Sequence, residues 1–99
     1  MSVKGTYKHV FIPEFEYEGI KYSEVNFEFG DLTGEDMIKI ETEMTDQGEF
    51  TLSPEVSRTF QCRLAARASG IPHQALAKAP IKDFIKITNA ARNFLFELG

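Results

Sequence analysis

The residue with the most evident chemical potential is Cys62, the only cysteine in the chain, set among Arg58, Arg63 and Arg67. Guanidinium groups beside a thiol favour its thiolate form, which is a nucleophile. A single small, weakly apolar residue also suits the flank of a packed helix, and that account needs no reactivity. His9 and His73 are the two histidines, and neither has a His, Cys or acid at a metal-ligand spacing such as i,i+4. The pattern therefore predicts no metal site. Glu14, Glu16 and Glu18 share one face of an extended segment, which suits a cation or, more simply, a solvated edge whose charge discourages pairing with other strands. Lys78, Lys82 and Lys86 lie four apart and line one helix face, which raises phosphate binding as a possibility. No Gly-rich phosphate loop, Gly-x-Ser-x-Gly elbow or Walker-type lysine accompanies them. These residues point away from an enzyme, a cofactor or a metal.

Charge and composition narrow the classes further. Ninety-nine residues with 42% hydrophobic and 26% charged side chains is the profile of one ordinary globular domain, read here as residues 1–99. The net charge of −4 is divided, since residues 1–53 carry four Lys against twelve Asp and Glu, whereas residues 54–99 carry seven Lys and Arg against three acids. Such a division can steer one copy of the chain towards another, or simply solvate two faces. An acidic pI near 5.1 sets a DNA or RNA ligand at a disadvantage. A small nucleic-acid-binding or regulatory adaptor is nevertheless the alternative reading, which a salt-dependent binding titration would reveal. One cysteine forbids an internal disulfide and suggests a reducing compartment. With no basic-plus-apolar leader and no apolar run of about 18 residues, the expected location is the cytoplasm.

The elements that must position these groups are legible from periodicity. Val25, Phe27 and Phe29 alternate with Asn26 and Glu28, the signature of a one-sided strand. Gly30 and Asp31 break that pattern, and Thr33 stands three residues before Asp36, the spacing of a helix N-cap. Glu35 and Asp36 suit the positive end of the helix dipole, so a helix begins here, with Met37, Ile40 and Met44 on one face, Ile38 off it and Gly48 as its end. Upstream, Met1 to Gly5 is expected to be loose. Tyr7 to Ile12 reads as a first strand that stops at Pro13, Glu14 to Tyr17 as a second, and Ile20 to Phe29 as a third, with Glu18-Gly19 as a hairpin turn. The fold class predicted is α+β, a small antiparallel β-hairpin or sheet of about three strands within residues 1–30, followed by three to four helices within 33–98.

Ser53, Pro54 and Glu55 form a helix start, because Ser caps, Pro fits the first turn and acid suits the dipole. In the preceding loop, Phe50 and Leu52 are expected to pin the backbone to the core. Val56, Phe60, Leu64 and Ala68 make one stripe, bordered by Arg63 and Arg67 on one side and Arg58 on the other, and Gly70 is placed for a left-handed C-cap. A short helix fits between Pro72 and Pro80. The last helix carries Ile81, Phe84, Ile85, Ile87, Ala91, Phe94, Leu95, Phe96 and Leu98 over roughly 200° of its circumference, whereas a surface helix needs a stripe nearer 100°. Either this helix is central in its own domain or its far end, FLFEL, meets another chain.

The order of these elements resembles that of the tail assembly chaperones of long-tailed bacteriophages, the tail protein E type. The resemblance rests on a strand ending at Pro13, the Glu18-Gly19 turn, the run FGDLTGEDMIKIE with Asp36 at its helix start, ASGIP, LAKAP, Asp83 in the first turn of the last helix, and the closing Phe94-Leu95 pair. It covers about Phe11 to Leu98. It implies a non-enzymatic phage or prophage protein without cofactor that coats the tape measure protein in the host bacterial cytoplasm. Such proteins give way as tail tube protein polymerises, are often made in a second, frameshifted length, tend to self-associate, and are not expected in the mature virion. On this reading Phe94, Leu95, Phe96 and Leu98 serve self-association or client contact, and Arg58, Arg63 and Arg67 meet acidic surface on a neighbour.

Overall fold

The computed structural model describes residues 5–49, 53 and 56–98, the side chain of Leu98 excepted. The expected loose start at residues 1–4 and the expected anchoring of Phe50 and Leu52 lie outside the described residues. Two strands come first, β1 (Thr6–Tyr17) and β2 (Ile20–Glu28), then a 3₁₀ turn (Phe29–Asp31) and four helices: α1 (Gly34–Asp46), α2 (Arg58–Ser69), α3 (His73–Ala77) and α4 (Ile81–Leu98). The class is α+β.

The sheet has two strands rather than about three, paired antiparallel. Pro13 does not end β1. Between the pairs Val10–Glu24 and Phe15–Tyr22 the register shifts, so that four residues of β1 (11–14) stand opposite the single residue Ser23. In that irregular stretch a ladder N–H is not required, and the proline, which has none, is accommodated by the bulge with a cis Ile12–Pro13 bond. Tyr7 and His9 face inward before the bulge, Phe11 at its first residue, and Phe15 and Tyr17 after it. Glu18 (φ 50°) and Gly19 (φ 84°) form the two-residue turn with both residues left-handed, the geometry that matches strand twist.

At the end of β2, Phe27 and Phe29 are buried as their alternation predicts, and the chain turns into α1. The Asp36 carboxylate accepts the Thr33 N–H at 2.8 Å, satisfying one of the donors that a helix start leaves unpaired. Ile40 and Met44 of α1 are buried while Ile38 is exposed, as the periodicity predicts. Helix α2 begins four residues later than the Ser53 signal suggests, at Arg58, with Ser57 as its cap, the Ser57 hydroxyl accepting the Phe60 N–H at 3.1 Å. Pro54 and Glu55 lie outside the described residues. Val56 is 76% exposed, so it does not belong to the buried stripe. Gly70 closes α2 in the left-handed conformation (φ 81°).

Helix α2, not α4, is the central element. Every residue from Phe60 to Ala65 is buried, because β2, the 3₁₀ turn and the other three helices surround it. A helix covered on all sides must bury whatever it carries, and Arg63 therefore lies inside with Cys62 and Leu64. Helix α4 packs on α2 and β1 through Ile87 and Ala91, with Phe94 stacked on Phe29 at 5.6 Å between ring centres. Near that stack the Gly5 carbonyl accepts the Gly30 N–H at 3.2 Å. Gly5 has φ 90°, and a Cβ there would sit 2.8 Å from the Gly30 nitrogen, so only glycine allows this approach.

Candidate functional site

Because α2 occupies the centre, the surplus apolar surface of α4 is left without a neighbour among the described residues. Ile81, Ile85 and Phe96 are 75%, 41% and 56% exposed, and at 100° per residue they form one stripe along the outer face of the helix. The stripe is basic as well as apolar. The Arg92 guanidinium lies 5.7 Å from the centre of the Phe96 ring, a cation–π contact. Arg58 reaches over from α2 and donates to the hydroxyl of Thr88 and to Asn89 Oδ1 between the two isoleucines and Arg92.

Phe94 and Leu95 are directed elsewhere. Both are half-buried, and with Leu32, Met37, Leu64, Gly30, Thr33 and Gly34 they line an apolar groove of about 410 Å³ between the 3₁₀ turn, α1 and the end of α4. Of the four residues expected to form one apolar end, two are therefore groove wall and one, Phe96, projects from the opposite side. The Leu98 side chain lies outside the described residues. Leu32, Met37 and Leu64 complete the groove, and no sequence signal joined them to Phe94. Leu32 is the nearest to one, being a lone apolar residue in the polar hinge.

The three arginines also separate. Arg63 is 4% exposed and donates to Glu43, to Gln47 and, at 3.0 Å, to Glu49, while Arg67 donates to Asp36 at 2.8 Å with Glu43 nearby. Both thus meet acids of their own chain, drawn from the acidic half of the sequence. Capture of the Thr33 N–H and then of Arg67 holds the Asp36 carboxyl below its ordinary range. Arg58 alone of the three stands exposed at the surface.

The groups with catalytic potential are enclosed. Cys62 is buried, with its Sγ 3.6 Å from the His73 carbonyl oxygen, and burial pushes its thiol up to about 11 against the opposing pull of Arg63. At neutral pH this thiol holds its proton and is a poor nucleophile. Burial, then the Arg63 charge, lowers the pKa of His73. His9 is 3% exposed and bonded through Nε2 to Asp83 Oδ1 at 2.8 Å, and through Nδ1 to the Tyr7 hydroxyl at 2.7 Å. An ionised carboxylate only accepts, so Nε2 carries the proton, and in the neutral ring Nδ1 accepts from Tyr7. This chain of bonds ties β1 to the first turn of α4 across 74 residues. The sequence places Asp83 only in the first turn of the last helix and names no partner for it. The inward-facing Tyr7-His9-Phe11 alternation was the available hint that His9 is buried and needs a partner.

No family model, curated protein or solved structure matches the chain. Its function must be argued from its surfaces. Among the described residues, no three or more His, Cys, Asp and Glu gather as metal ligands, and no helix is long and apolar enough to cross a membrane. Glu14 and Glu16 stand exposed on the hairpin. The three lysines do not line one helix face: all are exposed, but Lys78 caps the end of α3 while Lys82 and Lys86 lie on α4, where Lys82 donates to the Ile12 carbonyl oxygen at 3.3 Å.

Proposed function

We propose that this chain is a non-enzymatic protein-binding module, a phage or prophage tail assembly chaperone that holds the tape measure protein in the host cytoplasm until tail tube protein replaces it. The observation that supports this most is the pairing of two apolar surfaces uncovered among the described residues, the α4 stripe and the groove beside Phe94, with the buried groups His9, Asp83 and Arg63 held in internal bonds. Large exposed apolar side chains cost solubility and persist where another polypeptide covers them. An unfolded or helical client offers such cover, whereas a small polar substrate does not.

The test is co-expression of the chain with the tape measure protein encoded beside it. The expected result is a tape measure that stays in the soluble fraction and co-purifies with the chain, with loss of both when Ile85 and Phe96 are replaced by Ser. A tape measure equally soluble without the chain refutes the chaperone assignment. So does an open reading frame lying away from the genes for the tube and the tape measure.

A further inference from the structure

The outer face of α4 carries cations as well as apolar side chains, and α4 places no acid between them. At 100° per residue, with Ile81 at zero, Arg92, Ile85 and Phe96 fall at about 20°, 40° and 60°, and Lys82 and Lys86 at about 100° and 140°. On the other flank Arg58 reaches from α2 to Thr88, which stands at about 340°. Lys82, Lys86, Arg92 and Arg58 are all exposed. Arg58 bonds to the uncharged Thr88 and Asn89 and Lys82 to the Ile12 carbonyl, and none of the four cations is in an ion pair among the described residues. Of the two acids on α4, Asp83 is buried and Glu97 stands at about 160°, at the edge of this arc. We infer that this face lies on an anionic membrane surface, with Ile81, Ile85 and Phe96 entering the boundary between headgroups and acyl chains and the four cations at the level of the lipid phosphates. The inference goes beyond the client-holding reading and does not depend on it.

The shape of the face selects a lipid layer over a protein. Ile81 and Phe96 are separated by about 22 Å along the helix, on its convex outer side. A protein partner takes its binding energy from a few anchors seated in pockets near the centre of a patch, and apolar side chains strung along a convex ridge do not offer that. A headgroup layer needs no matching pocket. It accepts a helix lying flat with its apolar crest inward, while the Lys and Arg on the flanks keep their stems against the acyl boundary and their charges among the phosphates. No described helix is long and apolar enough to cross a membrane, and one that lies in the headgroup layer need not be. Three partly exposed apolar side chains give only weak adsorption, whereas each Lys or Arg near an anionic surface strengthens binding about fivefold. Charge therefore decides which lipid is bound. The net charge of −4 does not oppose this, because acids outnumber bases only in residues 1–53 and the molecule measures 20 Å along its shortest axis. A charge on the far side lies beyond the roughly 8 Å over which it acts at physiological salt.

The experiment is co-sedimentation of the purified chain with large vesicles, one set of phosphatidylcholine alone and one of phosphatidylcholine and phosphatidylglycerol in about equal parts. Circular dichroism melts confirm that each variant is folded. Wild type is expected to pellet with the anionic set, weakly or not at all with the neutral set, and less as salt is raised. Lys82→Gln with Lys86→Gln should weaken binding about twenty-five-fold, and Phe96→Ser about tenfold. Lys21→Gln, exposed beside the hairpin turn, should leave binding unchanged. A chain that stays in the supernatant with both sets, binds both equally, or binds the anionic set as well after the α4 changes overturns the proposal. Retention on polyglutamate by a chain that ignores the vesicles overturns it in favour of an acidic polypeptide. A chain that pellets with anionic vesicles but leaves the tape measure insoluble upholds this proposal and refutes the chaperone assignment; one that keeps the tape measure soluble but ignores the vesicles does the reverse.

Discussion

Replacement of Asp83 by Ala tests whether the His9 bond fastens the hairpin to the helices. The side chains of His9 and Asp83 are 3% and 7% exposed, so the Nε2 proton left without its acceptor has no water to turn to. An orphaned buried donor costs about 1–3 kcal/mol, and the loss of an acid from the first turn of α4 adds about 0.3–1 kcal/mol. The expected destabilisation is thus about 2–3 kcal/mol, a large share of the roughly 5–15 kcal/mol that holds a domain together. With a urea slope of about 1.5 kcal/mol/M, the unfolding midpoint falls by about 1.5–2 M. Asp83→Asn keeps an acceptor oxygen and should lose only about 1 kcal/mol. A double-mutant cycle with His9→Phe isolates the pair, and a coupling of about 1–2 kcal/mol is expected for groups in direct contact. If Asp83→Ala unfolds within about 0.5 kcal/mol of wild type, or the two changes simply add, the bond is not a fastening and the reasoning fails.

Three further outcomes follow from the same packing. Cys62 should resist thiol reagents in the folded protein at neutral pH. Its thiol is raised from the ordinary 9.0 to about 11, so its contribution to stability is complete below about pH 9 and disappears as pH rises through 11. Urea midpoints of wild type should therefore fall more between pH 8 and 10.5 than those of Cys62→Ala; rapid labelling with a midpoint below pH 8 contradicts this. Gly5→Ala combines a left-handed φ with a Cβ 2.8 Å from the Gly30 nitrogen. It should cost about 2 kcal/mol or more, read from a thermal melt. Phe94→Ser removes a ring stacked on Phe29 and should destabilise by about 2–3 kcal/mol, whereas Phe96→Ser, on the exposed face, should stay within about 0.5 kcal/mol. Equal effects at the two positions would deny that they face opposite ways.

Features governed by neighbours a few residues away were legible in the chain. The Thr33–Asp36 helix start, the left-handed Gly70, the Glu18-Gly19 turn, the inward Ile40 and Met44 with outward Ile38, and the break between α3 and α4 all follow from backbone geometry and periodicity, which are local. The excess apolar circumference of α4 was equally plain, because it is a property of one helix alone.

What periodicity does not contain is the identity of the neighbour that covers a face. Whether α2 or α4 is central depends on which helix the sheet and the other helices pack around, and that choice buried Arg63 and left Ile81, Ile85 and Phe96 in water. Pro13 continues β1 because the pairing with β2 shifts register there, a fact about the opposite strand. His9 finds Asp83 across 74 residues, and Phe94 joins Leu32 and Met37 in one groove. The local backbone chose the elements of this protein; the pairing of buried groups such as His9 with Asp83 and Phe94 with Phe29 chose how they meet, and such partners are set by proximity in space rather than spacing along the chain.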